Sequence, residues 1–332
     1  MRSLSTEMFC WINDIRCTMG FMDNTSNRYT PLTVRMAVNL AAPHTWPAAI
    51  MPTIVAFSAA AVTGPLSVTM ALTLLVIVVL MQSAVNTFND YYDYVKGSDS
   101  EEDNVDPSDA VLVYNDVNPR SALLLAIGFL VVAFLLGIYA IVVAGFVPLV
   151  IALVGALFVI LYSAGKSPIS YLPLGELVSG VVMGGLIPLA VYQVLTGILD
   201  FRMLVVSIPT IIGVGLIMFT NNTCDIERDI PSGRKTLPVL LGRQNAVAWY
   251  RIAIVVWIVA IIAIIAFWYT PGLIVMPFML LASYPPLKAL FANPFTPERR
   301  LQAMPQILSA NIVLGAFYAA AILACASISL VL

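Results

Sequence analysis

The chain has 332 residues, of which 60% are hydrophobic and 10% charged, with a mean hydropathy of +0.94. A soluble domain carries roughly 25% charged residues, so this composition excludes a soluble enzyme and describes a polytopic membrane protein set in a lipid bilayer. A net charge of −2 argues against any nucleic-acid partner, four cysteines without a C-x-x-C pair give neither a disulfide framework nor a zinc site, and a single histidine, His44, leaves no His-based metal site or proton relay.

Residues 1–44 are mixed and polar, carry Arg2, Arg16, Arg28 and Arg35, and show no apolar run followed by a small-residue cleavage site, so no signal peptide is expected. Met19 and Met22 are alternative starts. Thr30-Pro31 reads as a helix start, and residues 32–41 as a short helix at the membrane interface before Pro43. This segment precedes a transmembrane domain over 45–332.

A span needs about 20 apolar residues at 1.5 Å each. Nine segments qualify: roughly 46–64, 66–89, 122–143, 147–164, 175–196, 204–222, 246–268, 271–288 and 305–330. The third and fourth are joined by Ala144-Gly145-Phe146, the seventh and eighth by Tyr269-Thr270-Pro271, and these short turns fall on one side. The long polar loops, 90–121, 165–174, 223–245 and 289–304, fall on the other. Of the 16 Lys and Arg, all but Arg202 lie in the N-terminal region or on the side of the long loops. The positive-inside rule makes that side cytoplasmic, with the C-terminus outside and the chain in the cell's inner (plasma) membrane.

The second segment ends in Asn-Thr-Phe-Asn-Asp-Tyr-Tyr-Asp over 86–93, and on a helix Asn86, Asp90 and Asp93 share one face at i, i+4 and i+7. The sixth ends likewise, with Asn221, Asp225 and Asp229 at i, i+4 and i+8 and Asn222 close to that face. An Asp inside a bilayer costs about 2.5–3.5 kcal/mol on insertion scales. One such motif is most simply a solvated helix end. Two, both Asn-bearing and on the same membrane side, are hard to explain as packing, and their carboxylates repel unless a cation neutralises them. Oxygen ligands of this kind suit Mg²⁺, which is held by carboxylates together with substrate phosphates. The residues therefore describe a membrane enzyme that binds a diphosphate through Mg²⁺ on Asp90, Asp93, Asp225 and Asp229.

Cations complete such a site. Lys96, Lys166, Arg228, Arg234 and Lys235 lie on the correct side, and each alone is equally explained by topology; Arg234 and Lys235 follow the second Asp face within one loop, which favours a role at the site. Ser98 to Asp109 is acidic without helical phase and reads as a flexible loop, apart from Asp99, which closes the first motif. An internal repeat emerges, because Asp90 and Asp225 are four segments apart and Tyr162-Ser-Ala-Gly-Lys166 is matched by Tyr284-Pro-Pro-Leu-Lys288. The expected fold is all-α, with about nine transmembrane helices around a central cavity, arranged as two four-helix pseudo-repeats plus one helix. Tyr162 and Tyr284 would offer their rings to a cation, whereas Tyr91, Tyr92 and Tyr94 suit the aromatic belt. Asn311 suggests a packing hydrogen bond. Gly180, Gly184, Gly185, Gly213 and Gly215 permit close helix approach or shape a tunnel, and Pro188 and Pro209 would kink their helices.

These motifs resemble the UbiA-type intramembrane prenyltransferase superfamily, and most of all its 1,4-dihydroxy-2-naphthoate polyprenyltransferase branch. The stretches that carry the likeness are Pro43-His-Thr-Trp-Pro, residues 89–99, Pro168 to Gly180, Asn221 to Asp229 and Gly233 to Gly242, and the resemblance covers nearly the whole chain after residue 30. The resemblance implies an allylic polyprenyl diphosphate held through Mg²⁺ by the four Asp, with Asn86, Asn89, Asn222, Tyr162, Lys166, Arg234 and Lys235 binding substrate. Its C–O bond would ionise, and an aromatic acceptor would attack the shielded allylic cation. For dihydroxynaphthoate the ring carbon bearing the carboxylate is prenylated and CO₂ is lost, a step of menaquinone synthesis. Two features depart from the branch: Cys224 stands where Arg is usual, and Glu101 to Arg120 is unusually acidic. Other acceptors stay open, namely 4-hydroxybenzoate, homogentisate, haem, chlorophyllide or a glycerol phosphate. Of other classes, a CDP-alcohol phosphotransferase lacks its Asp-Gly opening here, and a cation transporter would place its acids at the bilayer midplane. Prenyl chain length and oligomeric state are not encoded legibly.

Overall fold

A backbone in hydrocarbon must satisfy its own N–H and C=O groups, so apolar runs of this length fold as helices. The computed structural model describes residues 29–96, 111–163, 168–326 and 330–331. A short helix α1, Val34–Ala41, occupies the place expected of one; the Thr33 hydroxyl caps it by accepting from the Met36 N–H at 3.2 Å. Ala42, in the left-handed region at φ 46°, stops it, and Pro43–Thr45 forms a 3₁₀ turn. The chain then bends by 56° into α2, Pro47–Thr63.

The helix α3, Val68–Lys96, runs through the first Asp motif. At 1.5 Å per residue it is about 43 Å long, more than the ~30 Å hydrocarbon core, so its polar turns extend past the apolar layer. A short α4, Val111–Asn115, leads into α5, Pro119–Ala144, capped by Asn118 accepting from the Arg120 N–H at 2.9 Å. Gly145, at φ +79°, turns the chain into α6, Val147–Ser163. The next span is composite: α7, Gly175–Val181, a π turn at Val182–Leu186 and α8, Ile187–Thr196.

After α9, Arg202–Val206, comes α10, Ile208–Cys224, and then α11, Ile226–Asp229, and α12, Leu237–Leu241. The bundle closes with α13, Arg243–Trp268, a 3₁₀ turn leading into α14, Met276–Ala292, and α15, Arg300–Leu323. Leu66–Ser67 and Leu330–Val331 form a two-residue parallel pair, so the ninth expected segment, 305–330, ends as a helix at Leu323 rather than at 330.

Among the described residues six helical stretches are long and apolar enough to cross a membrane, and seven if the bent α1–α2 pair is one span. The expected count of nine is thus not established: 147–164 and 204–222 do form apolar helices, Val147–Ser163 and Ile208–Cys224, but at 17 residues each they are shorter than the other spans. The most apolar stretch of Pro297–Leu323 is 56% buried and that of Pro119–Ala144 17%, so α15 lies within the bundle and α5 on its outer side.

In a membrane, helices associate through close packing rather than hydrophobic burial, and small residues permit it. A Cβ on Gly180 would stand 2.5 Å from the Ile211 carbonyl oxygen, and one on Gly184 2.5 Å from that of Thr210. These two glycines therefore set α7 and its π turn directly against α10. Asn311 makes the expected packing bonds, donating at 3.1 Å to the carbonyls of Gly213 and Ile307.

Candidate functional site

The first motif lies on one continuous helix, as its spacing predicts. The second does not: α10 ends at Cys224, and Asp225 (φ −98°, ψ 12°) separates it from α11. The four-residue bonding persists across this break, with the Asp225 N–H on the Asn221 carbonyl at 3.1 Å and the Asp229 N–H on the Asp225 carbonyl at 2.8 Å. The break therefore leaves the i, i+4, i+8 rhythm intact.

Arg234 joins the two motifs. Its guanidinium lies 3.8 Å from Asp93 and 3.7 Å from Asp229, and stacks 4.9 Å above the Tyr171 ring. Its backbone is fixed as well, since the Arg234 N–H reaches the Asp229 carbonyl at 3.0 Å and the Lys235 N–H that of Tyr171 at 2.8 Å. Asp90, 8% exposed, accepts the Val111 N–H at 3.1 Å and that of Leu112 at 3.5 Å, capping α4. Asp225 faces Arg300 from the start of α15 at 3.3 Å, and the same guanidinium donates to Asn221 Oδ1 at 2.9 Å. Asp229 is 2% exposed and accepts from the Thr236 hydroxyl at 3.3 Å. Among the described residues no three carboxylates, histidines or cysteines gather closely enough to hold one ion. Asp90 and Asp225 thus meet donors from α4 and α15, while Asp93 and Asp229 share Arg234.

The remaining candidates are spread around this centre. Asn86 is tied to the α1–α2 bend, donating to the Ala41 carbonyl at 3.0 Å and to Thr45 Oγ1 at 2.8 Å. Asn89 is half-buried on α3. Asn222 is buried and donates to Glu176 Oε1 at 2.8 Å rather than toward the Asp. Tyr162 lies within electrostatic range of Glu176, Arg234 and Asp229. The side chain of its counterpart Tyr284 is 61% exposed on the outer face, with Lys288 Nζ 5.8 Å over its ring, so it does not join the site. Lys235 is exposed. Lys166 and Asp99 lie outside the described residues. Arg300, Tyr171, Thr236 and Glu176 had no role in the sequence reading; for Glu176 the available signal was a lone acid at the head of an apolar segment.

The electrostatics follow from this packing. Burial pushes the Asp229 carboxyl up to about 6, with Asp225 adding to the rise and Arg234 and Thr236 opposing it. Burial works against the Arg234 charge as well, but Asp93 and Asp229 outweigh it and hold its pKa above the usual arginine value. Cys224 is buried, and Arg300 brings a guanidinium to Asp225. A buried carboxylate raised by its own neighbour gains from a hard cation, and oxygen-only donors suit Mg²⁺; the residues fit such an ion. Carboxylates interleaved with guanidinium groups at the end of an apolar bundle can hold a cation and a polyanion side by side.

The chain matches the UbiA prenyltransferase family over residues 49–309. It is 34% identical over 227 residues to the 1,4-dihydroxy-2-naphthoate octaprenyltransferase of Bacillus subtilis, covering 67% of this chain and 72% of that relative. Its fold is similar to that of a UbiA homologue from Archaeoglobus fulgidus, with a TM-score of 0.60 at 16% identity over 88% of this chain and 100% of the other. The structure of that homologue bound to DMAPP and Mg²⁺ matches with a TM-score of 0.57 at 15% identity, over 86% and 98%.

Proposed function

Since the chain belongs to the UbiA prenyltransferase family and is a multi-pass membrane prenyltransferase, we propose that it transfers a polyprenyl group from an allylic diphosphate to 1,4-dihydroxy-2-naphthoate, with Mg²⁺ and loss of CO₂, in menaquinone synthesis. The observation that carries the site is Arg234 between Asp93 and Asp229. The acceptor is supported by the named activity of the Bacillus subtilis relative, and Mg²⁺ by the Archaeoglobus fulgidus homologue.

Asp90, Asp93, Asp225 and Asp229 would hold Mg²⁺, which supplies the positive charge that makes diphosphate a good leaving group. Arg234, Lys235 and Lys166 donate charge-assisted hydrogen bonds to the departing diphosphate. Tyr171, stacked on Arg234, keeps that guanidinium aimed. Asn86 and Asn89 orient the groups around the first Asp motif, Asn86 by fixing α3 to the α1–α2 bend, and Asn222 lines the substrate side through its bond to Glu176. The donor's C–O bond breaks with its electron pair going to diphosphate, the acceptor's ring carbon forms the new C–C bond, and the carboxylate leaves as CO₂, returning its bonding pair to the ring. Tyr162 shields the allylic carbon from water and faces its positive charge. The N-terminus and site are placed by this reading on the cytoplasmic side of the inner membrane, which the Lys and Arg distribution supports.

The test is an assay in membranes with Mg²⁺, a polyprenyl diphosphate and 1,4-dihydroxy-2-naphthoate, read by mass spectrometry. The expected product carries the prenyl chain and has lost CO₂, and EDTA abolishes it. Product with 4-hydroxybenzoate or homogentisate alone would retain the chemistry and reject this acceptor.

A further inference from the structure

Glu176 heads α7, where two glycines hold that helix on α10. The contact is close at Glu176 itself, since a Cβ on Gly215 would stand 3.3 Å from the Glu176 carbonyl oxygen. This packing fixes the side chain opposite Asn222, which donates to its Oε1 at 2.8 Å. The residue is 5% exposed, and its other oxygen, Oε2, has no hydrogen-bond partner among the described residues.

A buried polar atom without a partner costs about 1–3 kcal/mol, more when charged, and native proteins leave few of them. A carboxylate kept only for packing would be satisfied at both oxygens or replaced by an apolar side chain at little cost. Here one oxygen is anchored and the other is left available. Its position is beside the reaction site: a Cβ on the preceding Gly175 would stand 3.6 Å from the Tyr162 hydroxyl, and Asn222 adjoins Asn221 of the second Asp motif.

The chemistry of the reactants selects what Oε2 receives. A diphosphate is anionic and is repelled by a carboxylate. A polyprenyl chain has no hydrogen-bond donor. No other carboxylates gather with Glu176 to make a cation site among the described residues. The one donor the reaction brings is a ring hydroxyl of the aromatic acceptor. Resting on the acceptor class proposed above, we propose that Glu176 Oε2 accepts the hydrogen bond of an acceptor ring hydroxyl, with Asn222 as the residue that positions the carboxylate. Such a bond fixes which ring carbon faces the allylic carbon, and the carboxylate's charge raises the electron density of the ring that attacks.

The test compares wild type with Glu176→Gln and Glu176→Ala, using 1,4-dihydroxy-2-naphthoate and its two monomethyl ethers as acceptors. The charge-assisted bond predicts an acceptor KM raised about 10- to 100-fold in Glu176→Gln, with the KM for the polyprenyl diphosphate and the Mg²⁺ dependence changed less than about twofold. In wild type one of the two ethers is expected to be the poorer acceptor by a similar factor, and that discrimination disappears in Glu176→Gln. Loss of donor and acceptor affinity in parallel would mark a structural residue and overturn the proposal. So would a wild-type enzyme indifferent to both ethers, a result that decides the matter even where the variants do not fold. Prenylation of no aromatic acceptor at all would overturn the acceptor reading and this proposal with it, whereas prenylation insensitive to Glu176 overturns this proposal alone.

Discussion

Asp93 and Asp229 meet at one guanidinium, with Arg234 3.8 Å from the first and 3.7 Å from the second. The end of α3 and the segment after α10 are thereby parts of one site, although α5, α6, α7–α8 and α10 separate them in sequence. Arg234 is held from three directions, by the two carboxylates and by the Tyr171 ring.

Removing that link has a defined consequence. Arg234→Ala is expected to lower the rate of prenyl transfer by about 10²-fold, the usual loss on deleting one donor to developing negative charge. Arg234→Lys restores only part of it, because an ammonium cannot present a planar fork to two carboxylates or stack on Tyr171 in the same way. Steady-state rates of the two variants in Mg²⁺ check both statements.

Asp229 predicts a pH dependence whose sign follows from its burial. Its carboxyl is raised to about 6 in the folded protein, above the ordinary Asp value. The folded state therefore binds the proton more tightly than the unfolded chain. This contribution to stability is fully present below about pH 4 and is lost as pH rises through about 6. In EDTA, the unfolding midpoint of wild type should fall relative to that of Asp229→Asn between pH 4 and 7, since the amide never ionises and its oxygen still accepts from Thr236. A constant difference across that range would show that Asp229 titrates normally.

The seam between the π turn and α10 gives a stability prediction independent of the chemistry. A Cβ on Gly184 would stand 2.5 Å from the Thr210 carbonyl oxygen, whereas one on Gly128 meets nothing within 4 Å. Gly184→Ala must push the helices apart and should cost roughly 1–3 kcal/mol, as overpacking does. Gly128→Ala, on the outer face of α5, should leave the unfolding midpoint unchanged or raise it slightly. Thermal unfolding in detergent compares them.

Much of this was legible in the sequence for identifiable reasons. Apolar length located the long helices, because hydrocarbon leaves the backbone no other choice, whereas the short α4, α11 and α12 in the polar loops carry no such signal. The helical spacing of Asn86, Asp90 and Asp93 located the first motif. The break at Asp225 was invisible, since the second motif keeps its four-residue rhythm and its backbone bonds across the kink. Arg234 could be picked because it follows Asp229 in one loop. Arg300 could not: among the basic residues that set topology nothing distinguishes it, and only the docking of α15 against α10 delivers it to Asp225. The symmetry of Tyr162 and Tyr284 misled for a similar reason, as equal spacing does not imply equal burial, and Tyr284 faces outward. Glu176 carries no such signal, because a lone acid beside a glycine looks like a helix start until its partners are known.

The claim that both Asp motifs act as one Mg²⁺–diphosphate site is tested most directly by a double-mutant cycle on prenyl transfer, with Asp93→Asn, Asp229→Asn and the two combined. The account predicts that each single change lowers the Mg²⁺-dependent rate by about 10²-fold or more and that the double variant is no slower than the worse single one, because groups acting as a unit are not additive. Losses that multiply, or a single variant that keeps the wild-type rate, would contradict it.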